Sequence, residues 1–197
     1  MIETQGAEGS AVRAARVKAA EPSPGHDDTV HRVIETPVGP LTLVARAGGL
    51  TAVYYDQHKR LPDRATFGPV STEGIGVVSF DEVERQLGEY FAGERRSFSV
   101  PLAPRGNDFA RRVWGLLAAI PYGETRSYGA VATELGDIGL ARAVGTATGA
   151  NPISIIVPCH RLVGSTGALT GYAGGLDRKR LLLALEGSSA VDPSRLF

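Results

Sequence analysis

An α+β fold is predicted by this sequence, with a small sheet-containing unit followed by a mainly helical one. Two observations predict it. Short runs of β-branched and aromatic residues, separated by turn residues, occupy the chain from residue 30 to about residue 102. From about residue 105 the apolar residues instead recur at helical spacing behind capping residues. The only cysteine of the chain lies in this second part.

Composition limits the functional class. The chain has 197 residues, a formal net charge of zero and 43% hydrophobic residues, which is ordinary for a soluble globular protein. A single cysteine excludes an intramolecular disulfide and fits a reducing compartment. No apolar run approaches the roughly 20 residues that cross a bilayer, and no secretory leader is evident. We therefore expect a cytoplasmic protein that does not bind membranes.

The two ends of the chain carry no recognisable pattern. Residues 1–29 are rich in Ala, Gly, Glu and Pro without periodicity, which predicts a disordered N-terminal arm. Residues 188–197 are too polar to assign and form a C-terminal tail. The predicted domains between them are an N-terminal unit over 30–102 and a C-terminal unit over 105–187.

The N-terminal unit begins with three predicted strands. Val30–Glu35, Leu41–Arg46 and Leu50–Tyr55 are separated by proline- and glycine-containing turns, which predicts a three-stranded antiparallel meander. Phe80–Phe91 has apolar residues at a four-residue spacing and is predicted as a one-sided helix. Phe98–Leu102 is predicted as a further strand.

The C-terminal unit begins with three predicted helices. Asn107 or Asp108 caps the first, and Ser127 caps the second. The third, about Leu140–Thr148, consists of small residues and one arginine. Two short helices joined by a glycine-containing turn form a helix-turn-helix pattern, a weak signal because any helical bundle produces it. The predicted inward face of the first helix consists of Phe109, Val113, Leu116, Leu117 and Ile120.

A last helix is predicted over Arg178–Glu186. Asp177 is the predicted N-cap, because its side chain can accept from the free amides of the first turn. Leu181, Leu182 and Leu185 are predicted to pack inward.

The cysteine-containing segment is the most informative stretch. The apolar run Asn151–Val157 is predicted as a buried strand or extended segment, and Pro158 ends its pairing. Cys159 is thereby expected at the rim of a packed element, followed by His160 and Arg161. A neighbouring cation favours the thiolate, which is the nucleophilic form. By residue type alone, a lone cysteine is more often a small core residue.

The segment Pro158–Arg161 resembles the active-site motif of the O6-alkylguanine-DNA alkyltransferases, or methylated-DNA–protein-cysteine methyltransferases. The similarity covers residues 105–187 closely and the upstream meander loosely. It implies a ribonuclease-H-like N-terminal sheet and a winged helix-turn-helix domain that carries the active-site cysteine. Further motifs match in family order: Pro121–Tyr128, Ala141–Gly145, Asn151-Pro152, Gly171–Leu176 and Leu185–Gly187.

This resemblance implies DNA repair by direct reversal of damage. An O6-alkylguanine is flipped out of duplex DNA from the minor groove, and its alkyl group passes irreversibly to Cys159, once per protein molecule. The implied partner is double-stranded DNA containing O6-alkylguanine, and no cofactor is needed. We expect a monomer in solution. The sequence leaves open the preferred lesion, the repair of O4-alkylthymine and side-by-side assembly on DNA.

The resemblance also implies catalytic roles. His160 is the base that acts on Cys159 through a water, and Glu186 orients the histidine ring. A direct Cys159–His160 hydrogen bond is not expected, because adjacent side chains in extended structure point to opposite faces. Tyr128 donates a proton to the departing guanine.

A base pocket and a DNA-binding helix are implied in the same way. Tyr172 walls the pocket, the Ala173 amide helps to hold O6, and Leu162 and Val163 complete the lining. Gly174 leaves room for a bulky alkyl group, so a broad substrate range is a hypothesis.

On the DNA-binding helix, Arg142 takes the place vacated by the flipped base. Ala141, Thr148 and Tyr128 contact DNA, and Asn151 braces the turn before the cysteine segment. Nine basic residues against six acidic ones between 105 and 186 give this part of the chain a net charge of +3, a modest support for DNA binding.

No metal site is predicted. A structural zinc site needs four ligands, whereas the N-terminal half has no cysteine and its histidines, His26, His31 and His58, are scattered.

Two other functions stay open. A thiol hydrolase that uses Cys159 and a histidine predicts turnover. A protein that binds alkylated DNA without repairing it predicts binding with no modification of Cys159.

Overall fold

Three antiparallel strands open the fold in the computed structural model, which describes residues 29–190. They are β1 (Thr29–Ile34), β2 (Leu41–Arg46) and β3 (Gly49–Tyr55), hydrogen-bonded in the order β1-β2-β3. The predicted meander is therefore confirmed. The predictions for residues 1–28 and 191–197 lie outside the described residues.

Alternation along β3 gives the sheet two different faces. Tyr55 belongs to the main apolar core, whereas Tyr54 packs with Val44, Ala52 and Phe67 in a second, smaller cluster. Successive side chains of a strand point to opposite faces, so the two adjacent tyrosines serve different surroundings.

The rest of the N-terminal unit is a short hairpin and one helix. The hairpin strands are β4 (Gly74–Ile75) and β5 (Val78–Ser79). Helix α1 (Phe80–Phe91) has the predicted bounds, and the Ser79 hydroxyl accepts from the amide of Glu82. The predicted strand Phe98–Leu102 is wrong. Only an isolated bridge between Leu102 and Leu50 forms there, because Pro101 has no amide hydrogen to continue a ladder.

The C-terminal unit contains the three predicted helices, α2 (Asp108–Ala118), α3 (Tyr128–Glu134) and α4 (Ala141–Gly149). Asn107 caps α2 and Ser127 caps α3, each by accepting a hydrogen bond from an amide of the first turn. A single 3-10 turn, Ile138–Leu140, joins α3 to α4 and completes the helix-turn-helix.

Helix α2 buries a slightly different face from the predicted one. Val113, Leu117 and Ile120 are buried as expected, but Phe109 and Leu116 are only partly buried. The deeper position belongs to Trp114, whose indole nitrogen donates to the carbonyl of Ala147 at 2.8 Å. This bond ties α2 to α4.

The run before the cysteine is not a strand, and this prediction is wrong. Only Ile153 forms an isolated bridge, with Val53 of β3. The chain then turns, with a bond from the Val157 amide to the Ile153 carbonyl and a left-handed backbone at Ile155, whose φ is +71°. Buried apolar runs show no alternation, so their pattern does not distinguish a strand from a packed turn.

Two further elements complete the fold. Strand β7 (Leu162–Val163) pairs in parallel with β6 (Arg126–Ser127) beside the helix-turn-helix. Helix α5 (Leu176–Leu185) begins two residues before the predicted start, so Asp177 lies inside its first turn and pairs with Arg180.

The inward face of α5 is also partly different. Leu182 is buried as predicted, but Leu181 is 40% exposed. Lys179 and Leu183 take the inward positions. The buried face of α5 is therefore rotated relative to the predicted face. The prediction placed only leucines inside and did not include a buried lysine.

One apolar core runs through both units, from Leu41 in β2 to Leu182 in α5. The domain boundaries at 102 and 105 stay a prediction, since this core continues across them. Among residues 29–190, the helices are all too short or too polar to cross a bilayer.

Candidate active site

Cys159 is the first residue of a 3-10 turn, Cys159–Arg161, and only 3% of it is exposed. Burial raises the pKa of the thiol, against the lowering effect of a hydrogen bond with Asn151 and the charge of Lys179. The expectation of a sulfur at the rim of a packed element is therefore wrong for this conformation, because the thiol is covered.

Asn151 holds the turn that delivers the sulfur. Its side-chain nitrogen donates to the Val157 carbonyl at 2.9 Å, and its side-chain oxygen accepts from the Ile153 amide at 3.1 Å. Asn151 was expected to brace this turn. Its two hydrogen bonds span the part of the chain that contains Ile155, whose backbone is left-handed.

His160 is hydrogen-bonded at the end of α5. Its Nε2 lies 2.8 Å from Oε1 of Glu186, and both side chains are fully buried. The other ring nitrogen, Nδ1, has no hydrogen-bond partner among the described residues. Burial lowers the pKa of His160, while the hydrogen bond with Glu186 acts to raise it. Cys159 and His160 lie in a 3-10 turn, and not in the extended backbone that was expected.

Glu186 is the centre of a buried polar cluster. Arg161 donates to its two oxygens from Nε at 2.8 Å and from Nη2 at 3.0 Å. The Tyr90 hydroxyl donates to Oε1 at 2.7 Å, and the Gly123 amide donates to Oε2 at 3.2 Å. Burial acts to raise the pKa of Glu186, but the hydrogen bonds and charges of His160 and Arg161 lower it far below its usual range.

The cation near the sulfur is Lys179, and not the adjacent Arg161. The Lys179 ammonium is fully buried and donates to the carbonyls of Leu162 and Thr170. Burial lowers its pKa to about 8, and the charge of Cys159 acts in the opposite direction. The sequence contains a signal for this burial, because Lys179 lies three and four residues before Leu182 and Leu183.

Two tyrosines flank this centre. Tyr128, the first residue of α3, is half-buried, and its hydroxyl donates to the Thr170 carbonyl over a long 3.4 Å. Tyr172 is buried, and its ring centroid lies 6.4 Å from that of His160. Burial raises the pKa of both phenols, and Cys159 lies near enough to contribute to each.

The remaining predicted pocket residues are all buried, but Gly174 does not provide free room. A Cβ atom placed on it would lie 2.5 Å from the ring of Tyr55 and 3.1 Å from the ring of Tyr172. The reason offered for a broad substrate range is therefore wrong, because an aromatic ring of the protein occupies that space. Ala173, Leu162 and Val163 are buried, and the Ala173 carbonyl accepts from the amide of Lys59.

Helix α4 presents a small-residue surface. Arg142 is exposed and its side chain forms no hydrogen bond or ion pair with residues 29–190, while Ala141 is half-buried. Thr148 is only 5% exposed, and its contact with DNA stays a prediction. Arg161 and Lys179 were counted with the basic residues that favour DNA, yet both are buried.

A cavity of about 240 Å³ lies on the face of the sheet that carries Tyr54. Its lining includes Phe67 and Arg105, but none of the predicted site residues. The described residues contain no cluster of three or more potential metal-ligating side chains, and the absence of a metal site stays a prediction.

Sequence reasoning missed Tyr55 and Tyr90 altogether. They are separated from their partners Tyr172 and Glu186 by 117 and 96 residues. No local pattern signals such contacts, because each tyrosine reads as an ordinary packing residue of the N-terminal unit.

Comparisons with known proteins match most of the described chain. Residues 108–188 match the model of the 6-O-methylguanine DNA methyltransferase, DNA binding domain, and residues 29–104 match the model of its ribonuclease-like domain. A methylated-DNA–protein-cysteine methyltransferase from Mycobacterium tuberculosis is 49% identical, over 85% of this chain and 98% of the relative. One from Methanosarcina acetivorans is 48% identical, over 80% and 98%.

Solved structures match as well. A crystal structure of Mycobacterium tuberculosis OGT in complex with DNA superimposes with a TM-score of 0.73 at 49% identity, over 82% of this chain and 94% of that one. A second, of Mycobacterium tuberculosis O6-methylguanine methyltransferase, gives a TM-score of 0.72 at 47% identity, over 85% and 97%.

Proposed function

This chain belongs to the 6-O-methylguanine DNA methyltransferase family, and from that premise we propose that it repairs duplex DNA by taking the alkyl group of O6-alkylguanine onto Cys159. The observation that carries the proposal is the buried Cys159, His160 and Glu186 arrangement within a chain that matches both domains of the family.

The reaction is one displacement at carbon. The Cys159 sulfur attacks the alkyl carbon, a sulfur–carbon bond forms, and the bond from that carbon to O6 breaks. The electron pair goes to the purine, which takes up a proton, and the thiol proton is lost. Proton and charge balance without a cofactor. The thioether is stable, so each protein molecule reacts once.

His160 is the base in this proposal. Its Nε2 is engaged by Glu186, which leaves Nδ1 as the nitrogen that can accept a proton through a water. Arg161 and Tyr90 hold the glutamate in its ionised form, so that it can stabilise the imidazolium that forms. Lys179 favours the thiolate by its charge, because it lies near the sulfur and is shielded from solvent.

Tyr128 serves the leaving group. Its half-buried hydroxyl is held only by the long contact to the Thr170 carbonyl, so an entering base can replace that partner at small cost. A phenol that donates a proton to the purine lowers the barrier for departure of guanine. Cys159 is covered in the present conformation, so the reaction requires that the sulfur becomes accessible to the base.

DNA is engaged by α4 in the minor groove. The exposed Arg142 fills the stack when the base leaves, and the small residues beside it allow close approach. We propose that the protein acts as a monomer, with side-by-side assembly on DNA as a separate question for sedimentation on long duplexes.

Intact-protein mass spectrometry tests the function. After incubation with a duplex carrying O6-methylguanine, we expect a mass gain of one methyl group on Cys159 that saturates at one equivalent. Cys159→Ser should bind the damaged duplex and gain no mass. Methyl transfer by that variant would contradict the assignment of the nucleophile.

The same experiment separates the alternatives. Repeated turnover with an unmodified protein would indicate a thiol hydrolase. Tight, damage-dependent binding with Cys159 unmodified would indicate a protein that recognises alkylated DNA without repairing it.

A further inference from the structure

A residue of the N-terminal unit contacts Tyr172. Tyr55, the last residue of β3, is fully buried, and its hydroxyl shares a 2.7 Å hydrogen bond with the hydroxyl of Tyr172. The two rings meet edge to face, with centroids 5.9 Å apart. Tyr172 is thus held by a side chain 117 residues away in the sequence.

Tyr55 is itself held rigidly. The guanidinium of Arg178 lies 4.9 Å from its ring centroid, and that same group donates to the carbonyls of Val38 and Gly174. The ring of His58 stacks nearby, with centroids 6.4 Å apart and the planes 12° from parallel. Because these contacts fix the Tyr55 ring, the ring in turn fixes the side chains that it contacts.

The ring of Tyr55 also fills the space above Gly174. A Cβ atom on this glycine would lie 2.5 Å from Cδ2 and Cε2 of Tyr55. The backbone of Gly174 is not left-handed, so an alanine is excluded there by the ring alone. The ring of Tyr55 packs directly against Tyr172 and Gly174. The space beside these two residues therefore depends on the size of that ring.

We infer that Tyr55 is a specificity-determining residue of the alkyl-transfer site, whose hydroxyl positions Tyr172 and whose ring limits the size of the alkyl group that the pocket accepts. This inference rests on the proposed function, since it takes Tyr172 to be a wall of the base pocket. It assigns the N-terminal sheet a part in substrate selection.

The test compares two duplexes, one carrying O6-methylguanine and one carrying O6-benzylguanine, by the rate at which Cys159 gains mass. Tyr55→Leu removes the ring, and we expect the ratio of benzyl to methyl rates to rise about tenfold, as for other changes of pocket volume. Tyr55→Phe keeps the ring, and we expect both rates to fall about fivefold with their ratio unchanged, because only the bond to Tyr172 is lost.

Tyr54→Leu is the matched control. It makes the same substitution one residue earlier on the same strand, but in the cluster on the other face of the sheet. We expect no change in its rate ratio. An equal shift in this variant would overturn the inference, because the effect would then come from general loosening of the sheet.

Tyr55→Phe keeps the packing of the ring and tests the positioning role even where Tyr55→Leu does not fold. An unchanged ratio in folded Tyr55→Leu, or unchanged rates in Tyr55→Phe, would overturn the role of Tyr55 and leave the repair function intact. If the unaltered protein gains no methyl group, the proposed function itself fails.

Discussion

The carboxylate of Glu186 accepts hydrogen bonds from most of the buried polar groups of the site. Four groups donate to it, from His160, Arg161, Tyr90 and Gly123. A buried charge is tolerated only when it is paired and hydrogen-bonded, and here the pairing extends to two units of the fold. Removing the charge at this position therefore affects stability as well as chemistry.

We expect Glu186→Gln to lower the free energy of unfolding by about 3 kcal/mol, because it leaves the buried guanidinium of Arg161 without a counter-charge. Urea titration at pH 7 measures this. The control is Asp177→Asn, which removes a fully exposed carboxylate from its pair with Arg180 and should have no measurable effect. Equal losses in the two variants would contradict a special role for the buried cluster.

The same carboxylate predicts how stability depends on pH. The pKa of Glu186 is lowered in the folded protein, so as the pH falls the unfolded chain takes up its proton first. Its contribution is fully present above the usual carboxyl pKa of about 4.3 and is lost as the pH falls below it.

We therefore expect the stability difference between the unaltered protein and Glu186→Gln to be largest near pH 6–7 and to shrink below about pH 4. Urea titrations at several pH values give this difference directly. A gap that stays constant down to acid pH would mean that Glu186 is not ionised in the folded state.

At the scale of elements, α4 is organised to approach another molecule closely. Its outward residues are small, apart from the exposed Arg142, and its inner side is anchored to α2 by Trp114. A rigid helix with one long side chain suits insertion into a DNA stack, because the backbone can lie near the groove.

Arg142→Ala should slow the reaction with an O6-methylguanine duplex by at least about tenfold, since only the duplex requires extrusion of the base. The reaction with free O6-benzylguanine should change less than about twofold. Arg112→Ala removes the same charge from an exposed position of α2 and should have a smaller effect on the duplex. If Arg142→Ala slowed the reactions with duplex and with free base equally, insertion of Arg142 into the duplex would be contradicted.

At the scale of the whole molecule, the two units share one core. Apolar side chains from the sheet, α1, α2 and α5 belong to a single buried cluster, and Tyr55 and Tyr90 reach across into the site. Neither half can keep this arrangement if the other unfolds. The geometry of the candidate site is thus a property of the whole folded chain.

We expect a single cooperative unfolding transition for the full chain. Trp114, the only tryptophan, reports on the C-terminal unit by fluorescence, and far-ultraviolet circular dichroism reports on both units. The two curves in urea should coincide. Transitions with separate midpoints would show that the shared core does not couple the units.

The sequence by itself determined the family, the α+β class, the three strands and the helices α1 to α4. It did so because strand alternation, helical spacing and capping residues are local, and because ordered motifs around Cys159 identify the family. It also pointed to His160, Glu186, Asn151 and Arg142, although their roles remain proposals. The prediction of a strand before Cys159 failed because a wholly buried apolar run has no period to reveal its backbone.

Only the tertiary structure decided the environment of the sulfur. Burial raises the pKa of the Cys159 thiol, Lys179 and not Arg161 is the nearby charge, and Tyr55 occupies the space above Gly174. These features depend on which distant residues share a volume. Desolvation and packing act through space, and sequence spacing carries information on them only within a single helix or strand.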